Sequence, residues 1–538
     1  MTTPINQTGN NRGNPSVAIL HRPWLIISGV LIIAWLIVVM FYASRYSGYN
    51  YPDEAANAFF AKQFAQTSQF TYDTGLTPAE LSIYHPRSVG ISGSFYVPGS
   101  FVGFITLHGL LQKIGSIAPT VFTWIIFLLA ILAWYCLVRR YWDKNWALFS
   151  IAAIITLPAV VAFLHLPWLH AMLLTSFFML TGWALVRYQE RQTWVRAVMV
   201  GICYGAALFI RPVEALWTFP AVVLVMIVHR QRRRFIIAML VTVMLMQLPW
   251  MIMAKTTFGT VLGSGYTTQG LAFTTLDETA GSQGLSWYRT LIPPGGWSWH
   301  FFSAAWESLF ALMPAVAFMT VIALAIYFKR KFVNISKVLK IGAIMLFVAY
   351  YLVYYGSLDL AQNGPAVAGS ITSYVRYWLP LIVAMVAGVV VTLRWIYRRQ
   401  PWVAIVLAGI VLTSNMWSSV WHFNSGLRSL RQQDLRFQSV QRVVKQYTEA
   451  NSLIITGRYD KTLLASRIVS YRQPITEDEW TVLSNIVARR PVYLIGSILA
   501  TSEATLRDKA TAHNLVVTSV TAIDDSTLWR LQPSPSPL

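Results

Sequence analysis

SGYNYPDEAANAFF (residues 47–60) lies just beyond the first long apolar run of the chain and carries an acidic pair, Asp53 and Glu54. If the run at 23–43 crosses a membrane, that pair sits where the chain leaves the lipid. Pro52 suits the first turn of a helix, with Asn50 or Tyr51 before it as the cap. Acids in a first turn favour the helix dipole. On this reading the pair simply opens a surface helix whose apolar face is Ala55, Phe59, Phe60 and Phe64. A second reading rests on position. A carboxylate at the outer membrane surface, beneath a large loop, is placed to act as a general base on a hydroxyl. Neighbouring helix residues point about 100° apart, so the two acids would not serve one atom.

Composition sets the class. The chain has 538 residues, 55% hydrophobic and 12% charged, with mean hydropathy +0.51. Soluble domains carry roughly 25% charged residues. Many runs reach the roughly 20 apolar residues that cross a bilayer core as a helix. The expected fold is therefore an all-α polytopic membrane protein. The net charge of +21 does not point to nucleic acid, because the basic residues cluster between apolar runs. Examples are Arg139, Arg140 and Lys144; Arg187, Arg191 and Arg196; and Arg394, Arg398 and Arg399. Such clusters mark cytoplasmic span ends. The two cysteines, Cys136 and Cys203, lie inside apolar runs and imply no disulfide framework. Residues 1–22 are polar and read as a disordered cytoplasmic N-terminus. The run that follows is too long for a signal-peptide core and reads as an anchor.

About eleven spans satisfy both the apolar lengths and the charge clusters. They fall at 23–43, 118–138, 146–164, 171–187, 197–211, 214–229, 235–254, 303–328, 341–357, 377–393 and 402–422. With the N-terminus cytoplasmic, the basic clusters all fall inside. VPGSFVGFITLHGLLQKI (97–114) is apolar enough for a short span, but counting it would invert everything downstream. It reads as a helix lying along the outer face. Outer loops then cover 44–119 and 255–302 around a membrane domain at 23–422.

Beyond 422 the composition turns soluble. SLIITG, PVYLIG and NLVVTSVTA read as strands, and TEDEWTVLSNIVARR and SEATLRDKATAHN as helices between them. A small C-terminal α/β domain at 423–530 is expected, outside the membrane, with a disordered tail at 531–538.

Several motifs together resemble the GT-C superfamily of glycosyltransferases, with protein O-mannosyltransferases and aminoarabinose–lipid A transferases as the nearest branches. The acidic pair opening a membrane-parallel helix after the first span is one. Tyr96-Val97-Pro98-Gly99, followed by the apolar helix ending at Gly115, resembles the second surface helix of that loop. GAALFIRPVEALWTFP (205–220) resembles an interrupted pair of spans with an arginine at the turn, and SYVRYWLP (373–380) the Arg-Tyr-x-x-Pro start of a late span. The resemblance covers most of residues 20–420.

It implies a polyprenyl-phosphate sugar as donor and an acceptor hydroxyl on a protein, lipid or glycan, with inversion at the outer membrane face. A plasma membrane is the expected location, since no endoplasmic-reticulum retention signal is seen. Asp53 would take the acceptor's proton, and Glu54 would bind or orient beside it. A cation must hold the leaving phosphate, and arginine can bind two of its oxygens. The candidates are Arg376, Arg211, His85, Arg87 and His300. Arg211 also has Glu214 within one turn as an alternative partner, and Arg376 could snorkel to headgroups. The loop FLHLPWLH (163–170) departs from the superfamily, where a second acid is common: it holds His165 and His170 and no carboxylate. No metal site and no obligatory cofactor are expected, although a divalent ion is not excluded by the residues. The alternative class is a polytopic transporter or glycolipid flippase, for which polar, broken helices belong near the midplane, often within repeats. Here the suspect residues gather at one face.

Overall fold

The computed structural model describes residues 29, 32–42, 48–215, 218–220, 222, 233–265, 300–331, 348–356, 370–421, 426–457, 459–495, 503–523 and 526–534. The expected N-terminus, the last four residues, most of the span at 214–229, about half of that at 341–357 and the interior of the 255–302 loop lie outside them; residues 531–533, read from the sequence as the start of a disordered tail, instead form the end of a strand.

The first loop is a compact layer of short elements. Helix α1, Ile32–Tyr42, precedes it. Helix α2, Pro52–Thr67, begins with Tyr51 extended and proline in the first turn, and Ser68 closes it in the left-handed region. Its Ala55, Phe60 and Phe64 are buried, as the apolar face requires. A three-stranded antiparallel sheet follows, with β1 (Tyr72–Asp73), β2 (Val89–Ser92) and β3 (Phe95–Pro98) in the order β1-β3-β2. Helix α3, Pro78–Ile83, lies between β1 and β2 and starts on a Thr77–Glu80 capping box. The stretch read as one surface helix from residue 97 thus divides: Val97 and Pro98 belong to β3, and α4 runs Val102–Ile114. These strands are too short to show alternation in the sequence. At 13 residues, α4 is about 20 Å long and cannot cross a core of about 30 Å. Glycines set its close packing. A Cβ at Gly103 would stand 2.0 Å from the Phe209 carbonyl oxygen, and one at Gly109 would meet Phe64 at 2.7 Å.

The bundle comprises α5 (Ala118–Tyr141), α6 (Lys144–Thr156), α7 (Pro158–Leu164), α8 (Ala171–Glu190), α9 (Trp194–Ile210) and α10 (Arg233–Phe258). It continues with α11 (His300–Ala305), α12 (Pro314–Lys331), α13 (348–356), α14 (Ser370–Tyr397) and α15 (Pro401–Trp421). Among the described residues, five helices are long and apolar enough to span a membrane: α5, α8, α10, the Val375–Tyr397 part of α14, and α15. The pair α6 and α7, bent by 60°, raises this to as many as six. That bend has a local cause. Proline at 158 pushes Leu157 out of the helical region, to φ −57 and ψ 128. Ile237, Val241, Met244, Leu248 and Ile252 form an exposed apolar stripe along α10, a surface suited to lipid. The chain is a multi-pass membrane protein.

The C-terminal part contains a five-stranded sheet in the order β5-β4-β6-β8-β7. Strands β4 (Leu453–Thr456), β5 (Ile468–Ser470) and β6 (Val492–Ile495) are parallel, and β7 (Leu515–Ile523) and β8 (Ser526–Pro533) complete it antiparallel. Helices α16 (Leu427–Tyr447), α17 (Asp460–Leu463), α18 (Glu477–Val487) and α19 (Glu503–Ala512) accompany it. The three expected strands correspond to β4, β6 and β7, and the two expected helices to α18 and α19. This domain rests on the first loop. Tyr84 Oη donates to the Glu479 carbonyl at 2.6 Å, and Arg490 Nη2 to the Thr74 carbonyl at 3.1 Å.

Candidate active site at one end of the bundle

The bundle has two chemically distinct ends. At one, Glu190 closing α8 is paired with Arg140, with Arg187 at 3.0 Å and with Arg196 at 3.7 Å. Basic clusters from three helices therefore share this end. Following α8 back to its start leads to His170, α9 forward to Arg211, and α14 back to Arg376. The 20 residues of α8 separate the ends by about 30 Å, the thickness of a bilayer core.

Asp53 lies at the second end, in the first turn of α2. Arg376 Nη1 donates to its Oδ2 and Ser88 Oγ to its Oδ1. The Asp53 side chain is 21% exposed and that of Arg376 is 9%. Burial alone would raise the Asp53 carboxyl. The Arg376 charge, the hydrogen bonds from Ser88 and Arg376, and the Arg211 charge outweigh it and hold the group below the usual aspartate range. Asp53 is thus an ionised carboxylate facing a cation, 323 residues away in the chain.

A second cation stands behind the first. Arg376 Nη2 donates to Tyr377 Oη at 2.6 Å, and its guanidinium lies 4.6 Å from the Tyr377 ring centroid. Arg211 lies 4.5 Å from the same ring and 5.2 Å from Tyr355. Tyr355 and Tyr377 stack at 4.8 Å. Arg211 pairs with Oε1 of buried Glu214 at 3.0 Å, the local partner its spacing offered, and Tyr355 Oη donates to the same oxygen at 2.7 Å. Pro212 ends α9 and opens the short 3-10 turn Pro212–Glu214, which brings Glu214 back under Arg211. Arg211 Nε is nevertheless buried without a hydrogen-bond partner among the described residues. So is Nε2 of His170, which is only 6% exposed. Burial, with the charges of Arg211 and Arg376, keeps that imidazole neutral well below neutral pH.

The remaining sequence candidates make their direct contacts elsewhere, although Arg87 stays within electrostatic reach of Asp53. Glu54 is fully buried and its Oε2 accepts the Asn50 backbone N–H at 2.9 Å. Arg87 donates through its backbone N, Nε and Nη2 to Asp460 of the C-terminal domain, at 3.0, 3.1 and 2.6 Å. His85 sits edge-on to Tyr471 at 5.7 Å. Burial, added to by the Arg472 charge, lowers its pKa. His300 begins α11, and its side chain lies outside the described residues. His165 is held between the Val161 and Val39 carbonyls, at 2.7 and 2.9 Å. No group of three or more His, Cys, Asp or Glu among the described residues is arranged to hold a metal.

Sequence reasoning did not single out Ser88 or Tyr355, and it met Tyr377 only as the tyrosine of the Arg-Tyr-x-x-Pro motif. Ser88 had one signal that only the backbone reveals: it is a non-glycine residue at φ +60. Gly99 makes room for that turn, since a Cβ there would stand 2.3 Å from the Ser88 carbonyl oxygen.

Comparison with known proteins adds one sequence match. The model of the family described as dolichyl-phosphate-mannose-protein mannosyltransferase matches residues 104–253. The resemblance to the GT-C superfamily is borne out by this match, which includes α9 and Arg211. No curated protein matches the chain. Among solved structures, ArnT from Cupriavidus metallidurans in the apo state aligns over 94% of this chain and 98% of its own, at 14% identity and TM-score 0.48. The same protein bound to undecaprenyl phosphate aligns over 95% and 98%, at 13% and 0.48. The Archaeoglobus fulgidus oligosaccharyltransferase, in complex with Zn and sulfate, aligns over 86% and 67%, at 12% and 0.47.

Proposed function

We propose that the chain is an inverting membrane glycosyltransferase that moves a sugar from a polyprenyl phosphate to an acceptor hydroxyl. The observation that carries this reading is the pairing of Asp53 with Arg376, backed by Arg211 across Tyr377. A carboxylate and two guanidinium groups are what transfer from a lipid phosphate needs. The donor's phosphate enters between Arg376 and Arg211. Arg376 then turns from Asp53 to a phosphate oxygen, and the carboxylate is freed as a base. The acceptor oxygen attacks the anomeric carbon as the bond from that carbon to the phosphate oxygen breaks. The proton passes to Asp53, and the arginines hold the charge left on the phosphate. Base and leaving group lie on opposite sides of the sugar, so the anomeric centre inverts. Glu54 acts from behind, fixing the start of α2 through Asn50, and no metal ion is required.

In this reading the site faces outward. The arginines around Glu190 mark the cytoplasmic end, about eleven spans connect the two, the N-terminus is cytoplasmic, and the C-terminal domain is extracytoplasmic. The membrane is the plasma membrane. The acceptor is a protein, lipid or glycan.

The test is transfer in membranes supplied with a panel of labelled polyprenyl-phosphate sugars. Label appearing in an acceptor, dependent on the chain, is the expected result. Donor crossing the bilayer with no transfer from any sugar would make the chain a flippase instead.

A further inference from the structure

We propose that the C-terminal domain positions the candidate base, with Asp460 and Lys461 of α17 clamping the two chain segments that flank Asp53. The inference rests on the functional reading above, and it gives the domain a role within the reaction.

Asp460 is fully buried and opens α17, directly after β4. Its Oδ2 accepts the Arg87 backbone N–H at 3.0 Å and Nε at 3.1 Å, and its Oδ1 accepts Nη2 at 2.6 Å. This two-pronged contact fixes both the side chain and the backbone of Arg87. The next residue is Ser88, whose Oγ donates to Asp53. Ser88 is held at φ +60, a conformation that costs a non-glycine residue energy and persists only where its surroundings impose it. Asp460 on one side and the close approach of Gly99 on the other impose it here.

The neighbouring Lys461 grips the other segment. Its Nζ donates to the Asn50 carbonyl at 2.5 Å, two residues ahead of Pro52. Asn50 in turn donates its N–H to Glu54. A third hold lies just upstream, where the Gly48 N–H donates at 2.6 Å to Asp434 of α16, itself fully buried. A Cβ at Gly48 would stand 2.5 Å from that carboxylate oxygen, so only glycine admits the approach. Surface ion pairs contribute little. Two fully buried carboxylates aimed at the first loop are therefore out of keeping with a domain that only recruits an acceptor from above. They fit a domain that fixes Asp53 against the bound donor, since small displacements of a reacting group cost large factors in rate.

The full-length protein in membranes tests this with Asp460→Asn and Asp460→Glu. Asp460→Asn is expected to lower kcat for sugar transfer about ten- to hundredfold while the donor KM changes less than about twofold. Asp460→Glu recovers part of the loss, because a carboxylate is restored on a longer arm. Backbone hydrogen exchange at 87–92 is expected to quicken in Asp460→Asn, while α14 stays protected. A KM rise at unchanged kcat, or wild-type kcat in Asp460→Asn, would overturn the positioning role. If Asp53→Asn itself transfers sugar normally, the functional reading fails, and exchange at 87–92 still decides the clamp: unchanged protection there in Asp460→Asn overturns it.

Discussion

Replacing Arg376 with glutamine removes the charge facing Asp53 and leaves a polar side chain two bonds shorter, which no longer reaches the carboxylate as Nη1 does. In the wild type, the Arg376 side chain is 9% exposed and that of Asp53 21%. Removing one partner of a deeply buried pair costs roughly 3–5 kcal/mol. Here Asp53 keeps its hydrogen bond from Ser88 and the more distant charge of Arg211. The expected destabilisation is therefore about 2 kcal/mol, the scale of a hydrogen bond to a charged group. The effect on rate is larger, because Arg376 also serves the leaving phosphate. Loss of one donor to a developing anion lowers kcat about 10²- to 10³-fold. Initial rates of transfer from a polyprenyl-phosphate sugar, with thermal unfolding in detergent, measure both quantities. In a cycle with Asp53→Asn, the stability effects should be non-additive by about 1–2 kcal/mol, because the residues are in contact. A variant within about twofold of wild-type rate, with additive stabilities, would refute the reasoning, since it would leave Arg376 no part in transition-state stabilisation.

Three further outcomes follow from the same geometry. Asp53 has a depressed carboxyl pKa, so its pairing adds stability above the ordinary aspartate value of about 3.9 and loses it as pH falls through the lower folded value. In Arg376→Gln the raising effect of burial remains and its main opponent is gone, so the acid limb of the kcat/KM profile should move to higher pH. Glu54→Gln keeps an oxygen that can accept the Asn50 N–H; it should cost about 1 kcal/mol of stability and leave kcat within about fivefold, whereas a direct proton-transfer role would show a loss of about 10²-fold or more. Gly99→Ala drives a Cβ to 2.3 Å from the Ser88 carbonyl; the strain, about 1–3 kcal/mol, should displace Ser88 and lower kcat, read by transfer rate and by hydrogen exchange at 87–92.

Much of the architecture is legible in the sequence because it is written locally. Long apolar runs predict α5, α8, α10, α14 and α15, whereas the run at 146–164, read as one span, divides at Pro158 into α6 and α7. In the C-terminal domain the alternation of short apolar runs with polar stretches predicts β4, β6, β7, α18 and α19. Three-residue β5 and the two-to-four-residue strands of the first loop carry no period to detect. The acidic pair at 53–54 and the arginines at 211 and 376 are visible as suspects, but their assembly is not. Asp53 meets Arg376 across 323 residues, and Arg87 meets Asp460 across 373. No local pattern encodes such pairs. Arg87 in particular looks like a free loop cation in the sequence and is engaged by the C-terminal domain in the fold. Ser88 offers no sequence signal, because its role depends on a positive φ that Gly99 and Asp460 jointly impose.

The most direct test is single-turnover sugar transfer by Asp53→Asn, with binding of the polyprenyl-phosphate donor measured on the same preparation. The account predicts that donor still binds and that transfer falls by at least about 10²-fold, the scale of a lost general base. Transfer at the wild-type rate from bound donor would contradict it.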